Sequence, residues 1–269
     1  MTIDAKRARS FDAWADEYDR YRPTYPDALF ATIQSRLELP ARPHVADLGA
    51  GTGRASLAMA TLGWRVTAIE PAKQMLEQLR RRASEDGLVL ATVEATAEET
   101  GLDPASVDLA TAAQAFHWFD KERAVAEMAR IVRPGGGVAL FWNVREEEAS
   151  PFVAGYHALL EARFGSADTG RYLQAGRPSG QDATRRAFEG LDSFSPLAKI
   201  ELRHELAMSA EEFMGMAFTA SYVRALPEDD QVGFRADLAA LLAGNGLAEL
   251  QAFSVPYRVD LWITRRSDT

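Results

Sequence analysis

The stretch Val45-Ala46-Asp47-Leu48-Gly49-Ala50-Gly51-Thr52-Gly53 constrains this chain more than any other. A short apolar run ends in an acid. Three glycines follow at every second position, and a helical pattern begins at Arg54, Ala55, Leu57, Ala58 and Met59. The spacing predicts strand, glycine-rich turn and helix, the place where an open α/β sheet holds a nucleotide-like ligand. Glycine suits such a turn because it reaches positive φ without steric penalty and lets a ligand lie against the main chain.

The dinucleotide fingerprint requires G-x-G-x-x-G/A. Here the pattern is G-x-G-x-G, and Arg54 falls on the third fingerprint position. A bulky residue there opposes the close helix–strand packing on which a pyrophosphate rests. Asp47 also points away from a diphosphate, which it would repel. A carboxylate at that place either orients the loop through its N–H groups or pairs with a cationic ligand group. The next strand, Trp64 to Ile69, ends at Glu70-Pro71. An acid about 20 residues past the glycines accepts hydrogen bonds from a ribose diol, which NAD and other adenosine ligands share.

Taken together, V-A-D-L-G-A-G-T-G and the acid ending the following strand resemble the class I S-adenosylmethionine-dependent methyltransferases. Later matches resemble their small-molecule branch, which includes trans-aconitate methyltransferase-like proteins. The resemblance implies a Rossmann-like α/β fold. Its sheet is mostly parallel and seven-stranded, with helices on both faces, an antiparallel last strand and helical cap or lid additions. It also implies S-adenosylmethionine as cofactor, with S-adenosylhomocysteine as product. On this basis Asp47, Gly49, Ala50, Gly51, Gly53, Glu70 and Pro71 are expected to bind the cofactor.

The resemblance reaches well beyond the glycines. Before the first strand lies F-D-x-x-A-x-x-Y…R-P-x-Y-P, from Phe11 to Pro26. In similar proteins such a stretch closes over the cofactor, which makes Tyr18 and Arg22 candidates for the methionine end; Arg22 suits its carboxylate. The alternative is a pair of helices covering one end of the sheet. Met75 either touches adenine or belongs to the core. Thr96 and the backbone of Ala97 occupy the turn at which the family reads adenine, although Asp is commoner than Thr there. Gln114-Ala115-Phe116-His117-Trp118-Phe119 follows the fourth strand, where an open sheet keeps its site. Within it, Gln114 is expected to line the cofactor pocket, and His117 and Trp118 the substrate side. His117 is the candidate general base if the acceptor carries a proton; the alternative is a histidine bonded to a nearby carbonyl. Trp142, at a strand end, and Tyr222 are candidate substrate contacts. Phe213, Met214, Met216 and Phe218 share the helical spacing of Tyr222, which fits ordinary core better than a pocket wall.

Composition bounds the remaining possibilities. The chain has 269 residues, no cysteine and a net charge of −9. Without cysteine there are no disulfides and no thiolate chemistry. The acidic balance disfavours nucleic acid, as does the lack of a D/N-P-P-Y/F sequence after the fourth strand. The four histidines are scattered without metal-ligand spacing. No apolar run reaches membrane-spanning length and no signal peptide is evident, so a cytoplasmic monomer or homodimer acting on a small molecule is expected. The expected organisation is a single domain: residues 1–40 an N-terminal helical lid, 41–144 the cofactor-binding core, 145–245 a cap and substrate region with one core strand near 198–206, and 246–269 the last strand. Arg145 to Glu148 reads as a solvent-exposed charged run, and Gly165 to Asp182 as a mobile loop. Two other functions stay open: an NAD(P)-dependent oxidoreductase and a non-catalytic S-adenosylmethionine-binding regulatory protein.

Overall fold

A computed structural model describes residues 21, 23–173 and 178–267, with the backbone alone for 165–173, 178–181 and 221. In chain order the elements are α1 (Asp27–Arg36), β1 (His44–Leu48), α2 (Arg54–Thr61), β2 (Arg65–Ile69), α3 (Lys73–Glu85), β3 (Ala91–Val93), β4 (Val107–Ala113), α4 (Lys121–Ile131) and β5 (Val132–Arg145). They continue with α5 (Pro151–Leu173), α6 (Pro178–Arg186), β6 (Ala198–Met208), α7 (Ala210–Phe218), a single helical turn at Ser221–Arg224, α8 (Glu228–Gly244) and β7 (Phe253–Arg265).

The strands form one seven-stranded sheet in the order β3-β2-β1-β4-β5-β7-β6. The first five pair in parallel, and β7 runs antiparallel to both β5 and β6. This is the expected mostly parallel sheet with an antiparallel last strand. Strand order reverses between β1 and β4, the switch point at whose carboxyl side such sheets open a crevice.

Each face of the sheet carries a helical layer, because strands buried on both sides are apolar on both sides. On one face α1 and α2 supply Leu29, Phe30, Ile33, Ala55 and Met59, packed against Val45, Ala139, Phe141 and Val259. On the other, Val125, Met128 and Ile131 of α4 meet Ala46, Ala110, Leu140 and Trp262. α4 is tied down further by Glu127. Its Oε1 accepts from the Thr100 N–H at 2.9 Å, and Arg130 donates to both carboxylate oxygens at 2.6 and 2.7 Å. The Arg130 fork holds the Glu127 pKa down, at about 2.

A third cluster forms the cap. Phe152, Tyr156, Phe213, Met216, Phe234 and Leu238, from α5, α7 and α8, close over Val255 and Tyr257 of β7. Phe213 and Met216 are fully buried there, the core placement their spacing favours. Ser209 begins α7 with a capping box, its hydroxyl accepting the Glu212 N–H at 3.1 Å while Glu212 accepts the Ser209 N–H at 2.7 Å.

Two sequence expectations are corrected. Helix α5 runs on past Phe164 to Leu173, and α6 begins at Pro178, so helix covers most of the stretch read as a loop. Arg145 is not solvent-exposed: it is half-buried with Nε shut off from water. A strand turns alternate residues to opposite faces, and β5 turns this one under the cap. Glu146 is half-buried and paired with Arg203, whereas Glu147 and Glu148 are exposed.

Candidate cofactor and acceptor site

At the carboxyl end of β1 the chain turns sharply, with Gly49, Gly51 and Gly53 all left-handed, at φ +66°, +56° and +88°. Side chains resist that region, and two positions are also closed by packing. A Cβ on Gly49 would come within 2.8 Å of the Ala115 Cβ and 3.1 Å of the Phe119 ring. One on Gly53 would lie 2.5 Å from Cγ of Leu79. At Gly51 only the Met75 sulfur is near, at 3.8 Å, so this part of the turn has room above it. The absent side chains thus let the turn lie flat against the segment after β4 and against α3.

The two acids of the motif divide the work. Asp47 is 1% exposed; it accepts from the Ser56 hydroxyl at 2.5 Å and the Thr111 hydroxyl at 2.8 Å. It therefore clamps the start of α2 to β1 and β4 from beneath the turn. Burial raises its pKa from 3.8 to about 6, against the pull of those hydrogen bonds. Glu70 fills one of the two roles left open for Asp47, orienting the loop: its Oε2 accepts the Gly51 N–H at 2.9 Å, and its Oε1 the Ala72 N–H at 3.0 Å. Pro71 follows at the strand end, and Met75 is buried beside the turn.

The segment after β4 forms the opposite wall. Gln114 holds a non-glycine positive φ of 57°, with its N–H bonded to the Phe141 carbonyl at 2.9 Å and its side-chain amide to the Asn143 carbonyl at 3.3 Å. Such strained residues cluster at sites where the surroundings enforce them. A short 3₁₀ turn at Phe116–Trp118 carries His117. Its ring lies 5.0 Å from that of Trp118, and its Nδ1 accepts from the Trp142 indole at 3.5 Å. Burial, with the charge of Lys121, lowers the His117 pKa to about 4. Ala97 is buried in the same apolar cluster as Ala115 and Phe116, while Thr96 is exposed at the turn after β3.

The structure therefore brings together Gly49, Ala50, Gly51, Gly53, Glu70, Pro71, Met75, Gln114 and the Phe116–Phe119 turn at one end of the sheet. Trp142 belongs to this wall through His117. Tyr222 sits in the cap, with its ring 5.0 Å from that of Phe164. Tyr18 and Arg22 lie outside the described residues. Sequence reasoning missed Ser56 and Thr111, the partners of Asp47. Thr111 carried a signal, being the one polar residue in the apolar run Leu109 to Ala113.

A methyltransferase-domain family model matches residues 46–140, from the motif strand to the fifth strand. An uncharacterized methyltransferase of Mycobacterium tuberculosis is 42% identical over 139 residues, covering 51% of this chain and 54% of that one. A solved structure from Anaeromyxobacter dehalogenans, described as a candidate type II methyltransferase, is 29% identical. It matches with TM-score 0.64 over 91% of this chain and 98% of the other. Over residues 46–140 the chain is similar to the methyltransferase-domain family, and as a whole it is similar in fold to the Anaeromyxobacter protein. An uncharacterized methyltransferase-like protein of Schizosaccharomyces pombe is 25% identical over 231 residues, or 86% of this chain and 84% of that one. The match spans about half the length of the mycobacterial relative. Among the described residues, no helix is long and apolar enough to cross a membrane.

Proposed function

We propose that the protein transfers a methyl group from S-adenosylmethionine to an oxygen of a small organic acceptor, and that this oxygen belongs to a carboxylate. The observation that carries the reading is the turn at Gly49–Gly53, opened by three positive-φ glycines and rimmed by the Glu70 carboxylate. The donor set fits the cofactor. A carboxylate oxygen accepts more than one hydrogen bond, so Glu70 can hold the backbone and serve a ribose hydroxyl together. Gly49, Ala50, Gly51 and Gly53 present main chain rather than side chains; Met75 lies beneath Gly51. Pro71, Thr96, Ala97 and Gln114 complete the berth, with Tyr18 and Arg22 proposed at the methionine end.

When bound, the cofactor supplies an activated methyl group for direct displacement. The protein's share is alignment and exclusion of water. His117 decides between acceptors. With Nδ1 accepting from Trp142, the neutral ring carries its proton on Nε2, so it donates a hydrogen bond and does not remove a proton. A pKa near 4 makes it a poor base at neutral pH in any case. A carboxylate arrives ionised and needs no base, whereas a hydroxyl does. His117 then steers the acceptor, and Trp118 and Trp142 wall it.

Thermal unfolding with S-adenosylmethionine, S-adenosylhomocysteine or NADH tests the cofactor. At about 100 times Kd a ligand adds about 2.7 kcal/mol, so the two adenosyl ligands are expected to raise Tm by about 5–10 °C. A rise with NADH alone overturns the reading. Methyl-labelled donor offered to carboxylic acids and phenols then tests the acceptor; transfer confined to phenols overturns the carboxylate assignment.

A further inference from the structure

Arg145 stands at the carboxyl end of β5, two residues beyond Asn143, whose carbonyl receives the Gln114 amide at the rim of the site. Residues two apart on a strand share a face. Arg145 therefore points with Asn143 toward the cap, where α5 and α7 cover it.

A guanidinium carries five N–H donors and no acceptor, and a buried one is normally met by a carboxylate. This one is not. Its Nη1 reaches only the Met216 thioether, at 3.8 Å, and its carbon sits 5.0 Å from the centre of the Tyr156 ring. The Tyr257 phenol bonds to it and Tyr222 stands close by, while Nε is buried with no partner. Among the described residues no carboxylate forms an ion pair with it. Its acidic neighbours are engaged elsewhere, Glu146 with Arg203 and Glu147 with His157. The phenols do not substitute for an anion: burial pushes the Tyr156 hydroxyl well above its usual range, so it stays neutral.

We propose that Arg145 is a specificity-determining residue that anchors a carboxylate of the methyl acceptor between sheet and cap, with Tyr222 and Tyr257 flanking it. This rests on the methyl-transfer reading above. A planar fork matches the two coplanar oxygens of a carboxylate. A single cation balances one negative charge, which favours a carboxylate over a phosphate dianion. The rings and Met216 supply apolar walls for the carbon skeleton.

The test uses the full chain saturated with S-adenosylhomocysteine and benzoate as probe, followed on the Arg145 Nε–H resonance by NMR. The resonance is assigned by its loss in Arg145→Gln or Arg145→Lys. Benzoate is expected to shift it saturably and benzamide is not. Arg145→Lys, which keeps the charge but loses the fork, is expected to hold the fold and to bind benzoate about tenfold more weakly. Both variants should bind S-adenosylhomocysteine within about twofold of wild type. The proposal is overturned by an unmoved resonance at about 100 mM benzoate, about 1.4 kcal/mol of binding at most, or by an equal shift with benzamide. It is equally overturned if inorganic phosphate titrates the resonance at about tenfold lower concentration than benzoate, or if S-adenosylhomocysteine affinity falls about tenfold in both variants, which would make Arg145 a cofactor contact. If wild type itself fails to bind S-adenosylhomocysteine, the methyl-transfer reading fails first.

Discussion

Asp47→Asn separates what the motif acid does for the fold from what it does for the ligand. The carboxylate is buried and its pKa is raised from 3.8 to about 6, burial being the main cause. The native state thus holds this proton more tightly than the unfolded chain. Stability therefore falls as pH rises from about 4 to about 6, and the loss is complete above that window. A rise of that size costs the native state about 3 kcal/mol at neutral pH. Asn has the same shape and does not titrate. The Ser56 and Thr111 hydroxyls can rotate to donate to its oxygen or accept from its amide. Losing the charge-assisted bonds returns about 1–2 kcal/mol of that gain. The ligand-free variant is expected to be more stable than wild type by about 1 kcal/mol at pH 8. Its advantage should grow by about 1 kcal/mol between pH 5 and pH 8, read by urea unfolding at each pH. S-adenosylmethionine affinity should fall at the same time, since a negative charge beneath the turn is removed. An advantage that stays flat across that range, or a variant less stable at pH 8 than at pH 5 relative to wild type, refutes the account of Asp47 as an ionisable group held at a loss.

Three other substitutions follow from the same geometry. Glu70→Gln removes the charged acceptor of the Gly51 N–H and should weaken S-adenosylhomocysteine binding about tenfold or more by calorimetry, with Tm nearly unchanged; intact affinity would displace the ribose from this rim. Gly53→Ala forces a Cβ into Leu79 at a left-handed φ and should lower stability by about 2 kcal/mol or more, measured by urea unfolding; an unaltered midpoint would mean that the turn relaxes freely. Glu127→Gln should cost about 1–2 kcal/mol above pH 5, discounted for the partly exposed Arg130. Because the Glu127 pKa is depressed to about 2, the difference should fade as pH drops from about 4.5 toward about 2, and a difference that persists at pH 3 unchanged would contradict the pairing.

What could be read from the sequence was local. The glycine turn, the Asp120 cap, which accepts the Arg123 N–H at 3.3 Å, and the Ser209 capping box each depend on residues a few positions apart. Long-range pairings left no such trace. Asp47 finds Thr111 across 64 positions, and Asn143 donates to the Thr24 carbonyl across 119. The same limit hid Arg145. Its run of acidic neighbours suggested a solvated surface, and only the placement of α5 and α7 puts one member of that run inside. In Gly165–Asp182, polar composition suggested a loop, but residues 165–173 continue α5 from its well-packed first turns, and a separate helix begins at Pro178.

Because β7 sits between β5 and β6, the strand made last joins two made earlier. On the ribosome, residues 198–208 have no neighbour until residues 253–265 emerge, so the nascent sheet waits as a five-stranded half with β5 at its bare margin. That margin is apolar on both sides and invites association with other chains until it is covered. Any lesion that loosens β7 also frees β6, and with them the floor of the cap, so damage at this one strand should spread to the acceptor side while leaving the glycine turn standing.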